Sequence, residues 1–99
     1  MGEITLKSDK SSDKTIAIFQ EAIKTEELRV GYALDVGKKR LSVFEKKYGV
    51  SSEKFLNTLT AEDLDGHDLE YVEWAGELKL VTRLQERFDI LKGIKYVNQ

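Results

Sequence analysis

The sequence predicts an all-α fold: a long helix, a short helix and a long C-terminal helix, packed as a helical hairpin or bundle. Three observations predict it. The chain has no proline and 34% of its residues are charged, a balance that favours long, solvent-laced helices over a turn-rich β fold. Apolar residues recur at spacings of 3 and 4 from Val30 to Tyr48 and again from Tyr71 to Leu91, the period of one helix face. Between those runs, Phe44–Phe55 carries the stop signal of one helix directly against the start signal of the next. A chain of 99 residues makes one domain.

Residues 1–12 open with Ile4-Thr5-Leu6-Lys7, an alternation that fits either a frayed tail or a short strand. A short strand ahead of two helices is the order of a ribbon-helix-helix dimer, in which Thr5 and Lys7 would face the major groove of nucleic acid. Ser12 or Asp13 can cap the first of the N-terminal helices, which occupy 13–48. Ile16, Phe19 and Ile23, with Ala22 beside them, give it an apolar stripe. A join near Glu26-Glu27, or a break at Gly31, would separate it from a second helix ending at Tyr48.

That second stretch carries a seam at Val30, Leu34, Gly37, Leu41, Phe44 and Tyr48, about three heptads long. Gly37 costs roughly 1 kcal/mol against alanine in a helix, and it permits close approach of a partner helix. A seam of this length either closes a hairpin or forms a dimer. The expectation is a homodimer with Val30, Leu34, Leu41, Phe44 and Tyr48 at its seam.

At the corner, Gly49 is the C′ residue that tolerates positive φ. Lys46 and Lys47 suit the negative end of the helix dipole. Ser51 is an N-cap with Glu53 behind it. Val50 serves both ends, as the apolar residue after one helix and as the staple partner of Phe55 in the next.

Residues 51–92 then hold the short helix and the C-terminal helix. Phe55, Leu56 and Leu59 should point inward from the first. Thr60-Ala61-Glu62-Asp63 resembles a capping box, and Asp65 or Asp68 should cap the last helix, Asp68 to Lys92. Its stripe is Tyr71, Trp74, Leu78, Val81, Leu84, Phe88 and Leu91. Gly93-Ile94 repeats the stop of Gly49-Val50. The stripe is either core or interface, and Trp and Tyr are enriched among interface hot spots.

Chemistry is sparse. There is no cysteine and one histidine, so a thiolate metal site, a disulfide and a cysteine nucleophile are excluded. No phosphate-cradling glycine loop and no Gly-x-Ser-x-Gly is present. Asp63-x-Asp65-x-His67-Asp68 offers oxygens and one imidazole, but its glycine is misplaced for a calcium loop, and no metal or cofactor is expected. No enzyme is expected either. No apolar run reaches the 18 residues of a membrane span and no signal-peptide h-region opens the chain, so the expectation is a cytoplasmic protein.

Net charge is −2, but the signs are segregated. Lys38 to Lys54 holds six basic residues against Glu45 and Glu53, whereas Ala61 to Glu77 holds seven acids and no lysine or arginine. Such faces pair within the fold or across a dimer, or else the acidic one meets a basic partner.

Phe44-Glu45-Lys46-Lys47-Tyr48-Gly49-Val50-Ser51-Ser52-Glu53-Lys54-Phe55, then the acidic stretch Glu62 to Asp68, then Tyr71-Val72-Glu73-Trp74 and a leucine-rich helix resemble a family of small prokaryotic antitoxin-like proteins, including those paired with TumE-like toxins. The resemblance covers residues from about 40 to 92. It implies a non-enzymatic partner that wraps or blocks a cognate toxin, often a nuclease or nucleotidyltransferase-like protein. On that reading Tyr71, Glu73, Trp74, Leu78, Val81 and Phe88 form the partner-binding face.

Overall fold

The computed structural model describes residues 12–58 and 68–94. Thr5, Lys7, His67 and the acids from Glu62 to Asp65 lie outside them. Three helices are described: α1 (Ser12–Tyr48), α2 (Ser52–Thr58) and α3 (Asp68–Lys92). The all-α hairpin expected from the sequence is what forms, as α3 packs antiparallel against the C-terminal part of α1. Tyr48 meets Glu70 at one end, Arg40 meets Glu77, and Arg87 meets Glu26 towards the other. The molecule is a rod of 62 × 22 × 18 Å.

α1 runs unbroken for 37 residues, so the expected join near Glu26-Glu27 and the break at Gly31 do not exist. Tertiary contacts outweigh the local cost. Glu26 accepts from Arg29 one turn on and from Arg87 across the hairpin, both at about 2.7–2.8 Å. Gly31 lies against the Phe88 ring, close enough that an added Cβ would sit 3.3 Å from it. A glycine costs about 1 kcal/mol in a helix, and packing of an apolar face supplies most helical stability in proteins.

The apolar seam expected between two copies is occupied within one chain. Val30, Leu34 and Leu41 are buried, and Leu34 and Leu41 share a core with Phe55, Trp74 and Val81. Phe44 and Tyr48 pack on that core. These five residues therefore close the α1–α3 hairpin, which corrects their reading as a dimer seam.

Gly37 is where the helices come closest. A Cβ there would fall 2.6 Å from Val81 Cγ2 and 3.3 Å from Glu77 Oε2. Gly37→Ala should gain about 1 kcal/mol of helix propensity but lose about 1–3 kcal/mol to overpacking. The expected outcome is net destabilisation by about 1 kcal/mol in a denaturant melt. A more stable variant would show that the helices separate freely at this point.

The corner forms as its residues dictate. Gly49 has φ of 68° and its N–H donates to Glu45 C=O at 2.8 Å, the αL form of C-cap. The Lys54 N–H donates to Ser51 Oγ at 3.1 Å, which makes Ser51 the N-cap of α2. Val50 and Phe55 both join the core, as a staple requires. Leu56, expected inward, is exposed, because a helix of seven residues has room to bury one face only. The end of α3 does not repeat the Gly49 cap. The Gly93 N–H is shared between Asp89 and Ile90 carbonyls, and Ile94 N–H donates to Leu91 C=O. This tightened last turn is of the 3₁₀ type.

Candidate partner-binding surface

Trp74 is the point where all three helices meet. It is fully buried, with 0% of its surface exposed. Phe55 of α2 stacks on it with ring centroids 4.0 Å apart and planes within 2°. Phe44 and Tyr48 of α1 lie 5.5 and 5.6 Å away, also stacked. Tyr71 meets Phe55 edge-on at 5.1 Å. Aromatic ring contacts of this kind add to area burial. The indole N–H donates to Ser52 Oγ at 2.9 Å, and Ser52 is itself buried. Ser52 in turn is held by the neighbouring helix, for its backbone N–H donates to Glu45 Oε2 at 2.8 Å. Glu45 thus satisfies an orphan donor at the start of α2 from the end of α1.

This geometry corrects part of the expected partner face. Trp74 and Val81 are core, and Tyr71, Leu78 and Phe88 are half-buried within the hairpin. Their 3 and 4 spacing serves α1 of the same chain. Glu73, of the expected set, remains exposed.

Glu73 opens onto a shallow groove of about 420 Å³ lined by Arg40, Val43, Phe44, Glu73 and Glu77. At 100° per residue, Arg40 and Val43 lie on the flank of α1 turned away from Glu45, and Glu73 on the flank of α3 turned away from Tyr71. The groove is therefore on the side of the hairpin that α2 leaves uncovered. Glu77 forms its floor. Its Oε1 accepts from Arg40 Nη1 at 3.4 Å, whereas its Oε2 is buried without a hydrogen-bond partner. Glu77 thus gives the groove a polar floor beside two apolar side chains.

Ion pairs flank it along the hairpin. Lys47 Nζ and Tyr48 Oη both donate to the Glu70 carboxylate. Part of the segregated charge is thus spent within the fold, basic α1 against acidic α3. The hydrogen bond to Glu70 holds the Lys47 ammonium above 10.5 and, together with burial, the Tyr48 phenol above 10.0. Both groups are held in their protonated forms, so their contribution is complete below those ordinary values and is lost as pH rises through the raised ones. At the other end, hydrogen bonds from Arg29 and then Arg87 lower Glu26 from 4.5 to about 2. That contribution is present above 4.5 and is lost as pH falls towards 2. Glu26→Gln should accordingly flatten the acid limb of the melting temperature plotted against pH. An acid limb as steep as that of the parent protein would show that Glu26 gains nothing from its arginines.

Sequence reasoning missed Glu45, Ser52 and Glu77. Glu45 and Ser52 are seven residues apart, and Glu77 pairs 37 residues away from Arg40, so no local pattern signals them. Among the described residues, no group of His, Asp or Glu side chains could hold a metal ion and no helix is long and apolar enough to cross a membrane. Comparison with known proteins finds no matching family model, no similar curated protein and no similar solved structure.

Proposed function

We propose that this chain is an antitoxin-like protein-binding module that acts without catalysis in the cytoplasm, occluding a cognate toxin protein. The groove carries the reading: an uncovered seam between the two long helices in which Val43 and Phe44 lie beside Glu73, Glu77 and Arg40. Two apolar side chains with charged groups beside them resemble the make-up of a protein interface, in which an apolar anchor sits inside a polar rim. The exposed Glu73 adds a negative edge suited to a basic partner, since complementary charge speeds encounter and fixes register. The resemblance of residues 40–92 to antitoxin-like proteins points to the same use.

The test is co-expression with the neighbouring gene. The expected result is a product that is toxic alone, tolerated with this chain, and co-purified with it. Val43→Arg combined with Glu73→Lys should weaken that complex by about 2 kcal/mol or more, the hot-spot range, while leaving the helical melt of the free protein intact. Both sites are exposed, so loss of binding would not follow from unfolding. A neighbour that is harmless, or a complex indifferent to these changes, would overturn the proposal.

A further inference from the structure

The outer face of α3, turned away from the core, carries a second pattern. Leu69, Val72 and Leu80 are 71%, 64% and 48% exposed. Gly76 lies among them, and nothing stands within 4 Å of where its Cβ would be. A mid-helix glycine in open space costs about 1 kcal/mol against alanine, and no neighbour within the described fold uses the room it leaves. The spacing about Gly76 is symmetric. Leu69 and Arg83 lie seven residues before and after it, Val72 and Leu80 four before and after, and Glu73 and Lys79 three before and after. Glu73 and Lys79 have opposite charge, and neither makes an ion pair among the described residues.

We propose that this face binds a second copy of the chain, with two α3 helices antiparallel across a two-fold axis at Gly76. A two-fold interface must be self-complementary, residue i meeting j as j meets i. Antiparallel pairing about Gly76 does this: Val72 faces Leu80 of the other copy, Leu69 packs on the aliphatic stem of Arg83, and Glu73 meets Lys79, each twice. Val72, Gly76 and Leu80 form an i±4 ridge, and two such ridges interdigitate in the commonest class of helix packing. The missing side chain of Gly76 lets the ridges approach on the axis. This interface uses the opposite side of α3 from the core; it shares Glu73 with the groove, whereas Gly76 and Lys79 lie outside the groove lining and test it separately.

The experiment is the mass of the purified full chain in solution, by sedimentation or light scattering, for the protein and its charge variants. The protein should run as a dimer. Lys79→Glu should halve the mass, because it places four acids around the axis. Glu73→Lys combined with Lys79→Glu should restore the dimer by exchanging the signs. The chain has no native cysteine, so Gly76→Cys should oxidise to a covalent dimer, whereas Val43→Cys should form no covalent dimer under the same non-reducing conditions. A protein that is monomeric at every concentration reached, a dimer unmoved by Lys79→Glu, or a double exchange that fails to restore it while remaining helical would overturn the proposal.

Discussion

Trp74→Ala should lose about 3–5 kcal/mol of folding stability, the range for removing a large buried aromatic. Domains of this size are stable by about 5–15 kcal/mol, so the variant should melt far earlier or populate unfolded chain at room temperature. The size of the effect follows from position. The indole stacks with side chains from both other helices and donates its N–H to Ser52. Its removal opens a cavity where, among the described residues, aromatic rings tie α2 to both long helices. Urea unfolding followed by circular dichroism reads the change directly, and a variant as stable as its parent would place the indole outside the core. One consequence concerns binding assays. Loss of a partner on mutation of Trp74 would report unfolding, so contacts must be probed at exposed groove positions such as Val43 and Glu73.

Ser52→Ala should lose about 1–3 kcal/mol, because it leaves the buried Trp74 N–H without an acceptor. The hydroxyl is small and its removal leaves little cavity, so the cost lies in the orphaned donor. The two residues should therefore be coupled. In a Trp74→Phe background, which carries no indole N–H, Ser52→Ala should cost much less. A double-mutant cycle should return a coupling of about 0.5–3 kcal/mol, the range for residues in direct contact. Additive losses would mean that the hydrogen bond contributes nothing to the folded state.

Much of the fold was legible in the chain because its signals are local. The 3 and 4 spacing, Gly49 at the C-cap and Ser51 at the N-cap each act within a turn or two, and α1, α2 and α3 end close to where these residues place them. What was not legible depends on neighbours distant in sequence. Glu26-Glu27 and Gly31 read as a weak point, yet Arg87 and Phe88 of α3 hold the helix straight there. Gly93 has the same local setting as Gly49 and the same bond to the carbonyl four residues back, but it lacks the positive φ and adds bonds to carbonyls three residues back. The apolar stripe from Tyr71 to Phe88 shows which side of α3 is apolar, but spacing alone does not say whether α1 of the same chain or another protein covers it. The groove is a product of that pairing. Arg40 and Glu77 become neighbours only once Gly37 lets α1 and α3 approach.

The central claim is that the aromatic stripe is spent inside the hairpin and that the surface left for partners lies elsewhere. The chain has one tryptophan, so its fluorescence tests the claim most directly. In the isolated, dilute, folded protein, Trp74 should emit at short wavelength and resist quenching by iodide, and both properties should be lost together in a single denaturant transition. A helical, folded protein whose tryptophan emits as if in water and is freely quenched would contradict the account and return Trp74 to the surface.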